Sequence, residues 1–368
     1  MSIMKFKDIT VNLDNKRKPL NSSDRSKISI KKLYPYCGAN AIMDYVDEYL
    51  FDEEILCIAE DGGKWGQNET CSYIMNERCW VNNHAHVIKA KDTVDIRYLK
   101  YWINYTDLSS KITGAIVRKL TQKELNELEI MIPDLNIQKE ICNKLDKIQS
   151  IISVKQRQLN ELNNLIKFQF VEMFEEEEYP KKTLNELTNK ITDGSHNPPK
   201  GIAENEGYMM LSSQNIINNS INYENARFLK KEDFEKENSR TNLNRGDVLL
   251  TIVGTVGRTA IITDETNITM QRSVAVLKPT EEINSIYLVG AINSDNVIRQ
   301  LTKGAKGVAQ KGIYLNDIKK IVISVPPIEL QNEFAEIVKQ IDKQKDEIQK
   351  SLKEMKELQE SLMNKYFG

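Results

Sequence analysis

"VPPIELQNEFAEIVKQI", residues 325–341, closely matches "IPDLNIQKEICNKLDKI", residues 132–148, which occurs earlier in the same chain. Pro326 lies 193 residues after Pro133, and the same offset continues without a gap as far as Phe174 and Phe367. A period of this length is far beyond that of a solenoid repeat. The sequence therefore indicates a duplicated half-protein, in which a strand-rich region is followed by a long helix.

Both copies continue with apolar residues at alternating spacings of three and four, which is the pattern of a heptad seam. The seam residues are Ile141, Leu145, Ile148, Ile152, Leu159, Leu162 and Ile166 in the first copy, and Phe334, Val338, Ile341, Ile348, Leu352, Met355 and Leu362 in the second. A lone helix cannot bury such a stripe, so we predict that two helices of ~40 residues and ~60 Å pack on each other. The alternative is that each amphipathic helix lies on its own domain.

Proline marks where each helix begins, because the residue before a proline avoids the helical region. "LEIMIP" (128–133) and "IVISVP" (321–326) are predicted to be strands that end there, and the charge run "EEEEYPKK" (175–182) is interpreted as a boundary. We predict an α+β fold with strand-rich domains at 1–132 and 180–325, and helical segments at 133–179 and 326–368.

The two strand-rich regions also correspond weakly to each other. "EEILCIAEDGGKWG" (53–66) and "GDVLLTIVGTVG" (246–257) each combine a buried strand with a glycine turn, and we pair Gly63 and Gly66 with Gly254 and Gly257. Outside such stretches the halves differ freely. Two copies that keep a scaffold and diverge in their loops are typical of recognition modules with different targets.

Composition supports a cytosolic protein. The 368 residues carry a net charge of −2, and the five cysteines form no Cys-x-x-Cys pair, which favours reduced thiols. The N-terminus has no apolar signal region, and no stretch approaches the ~20 apolar residues of a membrane span.

Motifs for catalysis are weak. "HNPPK" (196–200) has Lys200 where an amino-methyltransferase loop has an aromatic residue, and "VGTVG" and "GGKW" lack the spacing of phosphate-binding loops. His84 and His86 alternate on a strand-like segment, but no neighbouring Cys or acidic residue completes a metal site. We therefore expect a protein without catalytic activity and without a metal.

Several motifs together resemble the specificity subunit of Type I DNA restriction-modification systems. They are "PYCGAN" (35–40), "ITDGSHNPP" (191–199), the glycine turn after a buried strand, and the proline and glutamine that open each helix. The resemblance extends over the whole chain. Each motif is weak alone, whereas their order, repeated at one offset, is specific.

The resemblance implies two target recognition domains on an antiparallel helical pair, each reading one part of a split, asymmetric sequence in double-stranded DNA. It implies no cofactor in this chain, two methyltransferase subunits that supply S-adenosylmethionine chemistry, and restriction motor-nuclease subunits that use ATP and magnesium. The predicted domains have nearly balanced acidic and basic residues. Because DNA affinity comes mainly from phosphate neutralisation, we expect the isolated chain to bind DNA weakly and in a salt-sensitive way.

Candidate DNA-contacting residues are polar or basic side chains near the glycine turns, which can present donors and acceptors to base edges or phosphates. They are Lys64, Trp65, Gln67, Asn68, Asn83, His84, Arg118 and Lys119 in the first half, and Ser195, His196, Asn197, Ser213, Gln214, Thr255, Arg258, Gln271, Arg272, Lys303, Lys306 and Lys311 in the second. Solvated loop residues are the alternative interpretation for each.

Two other functions stay open on sequence alone. A relict methyltransferase or nuclease is suggested by "NPPK" and by Asp134 with Glu140, although their spacing does not fit a metal-dependent nuclease. A coiled-coil adaptor that binds only protein is the other. Dependence of binding on base sequence separates the adaptor from a DNA-specificity subunit.

Overall fold

The computed structural model describes residues 2–203, 207–263, 267–305 and 312–368. The chain forms two compact units: unit 1 comprises Met1–Gln156 and Lys350–Gly368, and unit 2 comprises Arg157–Gln349. Each unit contains sheets and part of both long helices. The predicted α+β class, with a long helix in each half, is confirmed. The predicted domain boundaries at 132, 179 and 325 remain a prediction.

Within the described residues, unit 1 contains nine strands, four short helices and the beginning of the first long helix. The strands are β1 (Ser2–Lys5), β2 (Thr10–Asn12), β3 (Tyr34–Cys37), β4 (Ile42–Val46), β5 (Ile55–Ala59), β6 (Ser72–Met75), β7 (Trp80–Val81), β8 (Ala85–Ala90) and β9 (Glu129–Ile132). The helices are α1 (Phe6–Ile9), α2 (Ser22–Lys27), α3 (Ile96–Tyr105), α4 (Gln122–Asn126) and α5 (Leu135–Phe174), of which α5 continues into unit 2.

Three sheets organise unit 1. One has the antiparallel order β2-β8-β5-β6, a second has the order β4-β3-β7 with β3 parallel to β7, and the third pairs β1 with β9. Strand β5 is buried along its whole length, since Leu56 and Ile58 face one apolar cluster while Ile55 and Cys57 face another. This explains why its sequence shows a continuous apolar run instead of alternation.

The second half of the chain contains the remaining strands and helices. The strands are β10 (Lys181–Thr183), β11 (Thr188–Asp193), β12 (Tyr208–Leu211), β13 (Ile216–Ile217), β14 (Ser220–Ile221), β15 (Arg227–Leu229), β16 (Val248–Thr251), β17 (Thr259–Ile261), β18 (Ile268–Met270), β19 (Val274–Pro279) and β20 (Val322–Ser324). The helices are α6 (Lys231–Thr241), α7 (Ser285–Ile292), α8 (Asp295–Gly304), α9 (Leu315–Ile318) and α10 (Ile328–Phe367), which ends in unit 1.

Unit 2 repeats the three sheets of unit 1. Its sheets have the orders β11-β19-β16-β17, β15-β12-β18 and β10-β20, and β12 is again parallel to β18 while the other pairs are antiparallel. The hairpin β13–β14 and the helices α6 and α8 lie between the repeated strands. The duplication predicted from the helix motif therefore extends to the strand order of both units.

Inside each unit a segment of α5 and a segment of α10 lie side by side in opposite directions. In unit 1, for example, Gln359 near the end of α10 donates to Gln149 in the first half of α5, at 2.8 Å. All predicted seam residues are buried or half-buried. At the helix ends, Phe367 packs edge-on against Tyr98 in unit 1 and Phe174 against Tyr287 in unit 2, with ring centres 5.1 and 4.8 Å apart. Among the described residues, no helix combines the length and apolarity needed to cross a membrane.

Candidate nucleic-acid interface

Loops from three neighbouring strands meet at one end of the sheets in unit 1. The N–H of Asn82 after β7 donates to the carbonyl of Cys37 in β3 at 3.1 Å, because parallel strands end at the same edge. The side-chain amide of Asn40 donates to the carbonyl of Gly62, after β5, at 2.9 Å. We call this region loop surface 1 and define it by residues 38–41, 60–69, 82–84 and 113–119.

Two acidic side chains orient predicted contact residues of loop surface 1. The Lys119 ammonium lies 3.6 Å from the Glu60 carboxylate and 3.4 Å from that of Asp61. The imidazole of His84 is 2.7 Å from Asp61, and Arg17 donates to Glu60 at 2.8 Å. His84 and Lys119 are thus brought together, and both already have acidic partners. They present oriented hydrogen-bonding groups more than free positive charge.

His86 is separate from this surface, although it is only two residues from His84. Its ring is buried between the Asp14 carboxylate, at 2.6 Å, and the carbonyl oxygen of Leu120, at 2.8 Å. Burial alone would raise the pKa of Asp14, but hydrogen bonds with His86, with the Val87 N–H and with Asn12 together lower that pKa. The ring therefore ties β8 to the segment after Lys119. In the part of the chain that the structure describes, no three His, Cys, Asp or Glu side chains are arranged to hold a metal.

A cleft of about 650 Å³ lies within loop surface 1 and brings together Lys64, Trp65 and Arg118. Lys64 and Arg118 are exposed. Trp65 is 8% exposed, and its indole N–H donates to the carbonyl of Ala59 at 3.3 Å. The tryptophan therefore forms a wall of the cleft, and the two basic side chains are accessible to solvent.

The remaining predicted residues of the first half are exposed loop positions. Gln67 and Asn68 follow the cleft, and Asn68 has a φ of 59°, with its N–H bonded to the carbonyl of Tyr105 at 3.2 Å. Asn83 is exposed beside His84. Its carbonyl accepts a long hydrogen bond from Arg17, at 3.4 Å.

The equivalent loops of unit 2 also meet. The N–H of Gln271, after β18, donates to the carbonyl of Leu211 in β12 at 2.8 Å. The N–H of Arg272 donates to the carbonyl of Ser195, after β11, at 2.9 Å. We call this region loop surface 2 and define it by residues 194–197, 212–214, 254–258 and 271–273.

Ser273 connects two further loops to this surface. Its hydroxyl accepts the N–H of Ser213 at 3.1 Å, and its carbonyl accepts the N–H of Ile252 at 2.9 Å. The turn that carries Thr255 and Arg258 follows directly after Ile252. Its backbone is fixed because the N–H of Arg258 donates to the hydroxyl of Thr251 at 2.9 Å.

Asp193 organises the "DGSH" segment of loop surface 2. The residue is 7% exposed, and its carboxylate accepts from Arg240 at 2.5 Å and lies 2.7 Å from His196. Arg240 also donates to the Asp193 carbonyl at 3.0 Å. His196 itself is exposed, so the buried carboxylate orients a ring that faces solvent.

The predicted residues of the second half differ in their exposure. Ser195 is buried, Ser213 and Gln271 are half-buried, and the exposed ones are His196, Asn197, Gln214, Thr255, Arg258, Arg272 and Lys303. Lys303 lies in the last turn of α8. Lys306 and Lys311, which the sequence also predicts to contact DNA, lie outside the described residues.

One backbone relationship shows that the two loop surfaces are equivalent. The N–H of Glu60 donates to the carbonyl of His84 at 2.9 Å, as the N–H of Ile252 donates to that of Ser273 at 2.9 Å. In each unit the donor comes directly after the central strand, β5 or β16, and the acceptor comes directly before the neighbouring strand, β8 or β19.

The same register corrects one pairing from the sequence. Two residues after this bond, Gly62 has a φ of 65° and Gly254 a φ of 82°, in the left-handed region that favours glycine. Gly254 is therefore equivalent to Gly62 and not to Gly63. The sequence comparison was one residue off because two adjacent glycines occur in the first copy.

Three residues that hold these surfaces together were missed by sequence reasoning. Arg17 and Arg240 lie far along the chain from the loops that they hold, so no local pattern points to them. Asn40 belongs to the "PYCGAN" motif, and that motif could have singled it out.

Comparison with known proteins identifies the family and the fold. The model of the Type I restriction modification DNA specificity domain matches residues 1–164 and 176–358. This chain belongs to the Type I restriction-modification DNA specificity family. Both matches contain one strand-rich region and most of the helix that follows it, so the family match has the same twofold organisation as the structure.

Individual relatives agree with the family. The chain is 27% identical over 341 residues to a putative type I restriction enzyme specificity subunit, S.HindORF215P, from Haemophilus influenzae, with 89% of this chain and 83% of the relative covered. The crystal structure of a Type I restriction-modification S subunit from M. genitalium is similar with a TM-score of 0.64 at 13% identity, covering 100% of this chain and 96% of that one. A structure from work on assembly and conformational transition of the type I R-M system has a TM-score of 0.53 at 14% identity, covering 100% and 97%. At these identities the two structures show a common fold.

Proposed function

We propose that this member of the family selects the DNA target of a Type I restriction-modification complex. Loop surface 1 and loop surface 2 would each read one part of a bipartite, asymmetric sequence. The chain would also act as the scaffold on which two methyltransferase subunits assemble, with restriction motor-nuclease subunits as further partners.

The observation that carries this proposal is the equivalence of the two loop surfaces. Both are built at the same end of the same sheets, by loops joined through the same backbone bond. Their side chains nevertheless differ, since Lys64, His84 and Arg118 occur on one surface and His196, Arg258 and Arg272 on the other. A shared scaffold with different polar side chains suits the reading of two different base sequences.

Catalysis is assigned to the partners. S-adenosylmethionine would be bound by the methyltransferase subunits, and ATP with magnesium by the restriction subunits. The acidic residues Glu60, Asp61 and Asp193 are engaged by basic or imidazole groups of their own surface. This supports a role in orienting contact residues. We place the complex in the cytoplasm, where its five free thiols would stay reduced.

The charges on the two surfaces support a model in which partner subunits make most of the phosphate contacts. Lys119 and Arg240 are paired with acids. Among the described residues of the cleft, Lys64 and Arg118 are left for phosphate contact, which is a small number for tight binding by the chain alone. Because non-specific affinity follows the number of neutralised phosphates, partner subunits that surround the duplex would supply most of it.

The test is a map of adenine methylation in host DNA with the gene intact and with it deleted. We expect methylation at one gapped, asymmetric motif to disappear on deletion and to return on complementation. An unchanged map, together with failure of the chain to co-purify with a methyltransferase, would contradict the proposed function.

A further inference from the structure

Two apolar side chains project into solvent from loop surface 1, at the tip of a hairpin. Ile116 is 97% exposed and Val117 is 54% exposed, although both belong to residue types that are usually buried. They line the same cleft as Lys64 and Arg118. None of the chemistry discussed above uses them.

The hairpin that carries them is held in one shape. Thr113 and Lys119 exchange both backbone hydrogen bonds, at 2.9 and 2.8 Å, and Lys119 is anchored by acidic side chains below. Gly114 has a φ of 97°, and a Cβ there would lie 2.1 Å from the carbonyl oxygen of Val117. Only glycine fits this turn, so the conformation that exposes Ile116 and Val117 depends on Gly114.

The surroundings of the tip carry free positive charge. Within the described ranges, Lys64, Lys111 and Arg118 have no acidic partner. The acidic residue of the cleft, Glu69, accepts the N–H of Gly66 at 2.8 Å. An apolar tip between unpaired cations is complementary to a polyanion that also offers apolar groups, and the 5-methyl of thymine is such a group in the major groove.

We propose that Ile116 and Val117 are specificity-determining residues that contact the 5-methyl group of thymine in the half-site bound by unit 1. The inference rests on the proposed function and deepens it. Arg118 and Lys64 bring the hairpin to the phosphates, and the apolar tip distinguishes thymine from cytosine, which has no methyl group at this position.

The second repeat supports a role in specificity. At the 193-residue offset, Gly307 occupies the position of Gly114, while Ala309 and Gln310 replace Ile116 and Val117. The backbone hydrogen bond that follows this segment is the same in both repeats, because the N–H of Leu120 donates to the carbonyl of Glu60 at 2.8 Å and that of Ile313 to the carbonyl of Ile252 at 2.9 Å. Residues 306–311 lie outside the described ranges, so this comparison is one of sequence. A change from two aliphatic side chains to alanine and glutamine fits an asymmetric target.

The experiment uses the complex of the full chain with its host methyltransferase subunits, on the gapped motif found by the methylation map. Binding and methylation rates are measured for wild type and for Ile116→Ser, on native duplexes and on duplexes in which each thymine of the motif is replaced singly by deoxyuridine. Ile3→Ser, at an isoleucine that is 67% exposed on β1, is the matched control.

We expect deoxyuridine at one position of the motif to weaken wild-type binding about fourfold, because burial of one methyl-sized group contributes about that much to affinity. The same replacement should have no effect on Ile116→Ser, and Ile3→Ser should behave as wild type. The inference is overturned if every thymine replacement affects wild type and Ile116→Ser equally, or if Ile116→Ser weakens binding without any thymine dependence. Absence of any gapped motif for wild type would instead contradict the proposed function.

Discussion

Gln138 and Gln331 make the same hydrogen bonds at the start of the two long helices. Each side-chain amide donates to the carbonyl of the proline five residues before it, at 2.8 and 2.9 Å. Each amide oxygen accepts, at 2.9 Å, the N–H of the residue that caps the helix α3 or α7. Both glutamines are fully buried. One side chain therefore fixes the angle at which each long helix leaves its sheet domain.

Replacing Gln331 by leucine keeps the volume but leaves buried polar groups without partners. We expect Gln331→Leu to lower the free energy of unfolding by about 1–3 kcal/mol, the cost of buried groups that lose their hydrogen bonds. Denaturant unfolding followed by circular dichroism measures it. Gln340→Leu makes the same change at an exposed position of α10 and should stay within about 0.5 kcal/mol of wild type. Equal effects of the two variants would show that the buried bonds contribute little.

Gly194 is required by a close approach of two backbones. A Cβ at this position would lie 1.9 Å from the carbonyl oxygen of Met270. We expect Gly194→Ala to destabilise unit 2 by about 3 kcal/mol through overpacking and to separate the loops after β11 and β18. At Gly312 the nearest atom to a Cβ is 3.5 Å away, so Gly312→Ala is the control. Thermal unfolding of both variants checks this, and an unchanged midpoint for Gly194→Ala would contradict it.

Arg240 should support recognition without touching a base. Because it neutralises the buried Asp193 carboxylate and thereby orients His196, we expect Arg240→Ala to weaken binding of the complex to its target about tenfold, equivalent to loss of one charged hydrogen bond. Lys236→Ala removes a positive charge from the same helix at an exposed site and should change binding little. A mobility-shift titration at fixed salt compares them. A similar loss in both variants would assign the effect to net charge.

Salt dependence separates phosphate contacts from structural charges. We expect Lys64→Ala and Arg118→Ala each to reduce the slope of log K against log salt by about 1, because each contact releases one counterion. Lys350→Ala, at an exposed position of α10, should leave the slope unchanged. Titrations at several salt concentrations measure the slopes. Unchanged slopes for both cleft variants would place the duplex elsewhere on unit 1.

Stability should depend on pH through Asp95, the cap of α3. Burial by itself would raise the pKa of this carboxyl, but hydrogen bonds from Arg97 lower it below its usual value of 3.8. Because the folded-state pKa lies below the unfolded one, the stabilisation is present above about pH 4 and is lost as the pH falls further.

The variant Asp95→Asn isolates this contribution, since Asn284 is the natural cap at the equivalent position of α7. We expect it to be less stable than wild type by about 1 kcal/mol or less at pH 7. The difference should shrink as the pH falls through the lowered pKa of Asp95 and vanish once the wild-type carboxyl is protonated. Unfolding curves at a series of pH values test this, and a difference that is independent of pH would exclude the carboxylate charge as its cause.

The internal duplication, the two long helices and the strands before them could be predicted from the sequence. These features depend on local periodicity, as in the seam from Ile141 to Ile166, and on proline, whose effect on its neighbour is independent of the rest of the fold. The resemblance to specificity subunits followed from the order of short motifs at one offset, and the family match agrees with it.

Only the tertiary structure decided how the loops are assembled. Arg17 and Arg240 reach their acidic partners across 43 and 47 residues of chain, a separation over which sequence carries no pattern. The burial of Trp65 and the exposure of Ile116 are likewise set by neighbours distant in sequence. Periodicity therefore specified the scaffold, whereas contacts between distant residues determined which side chains each loop surface exposes.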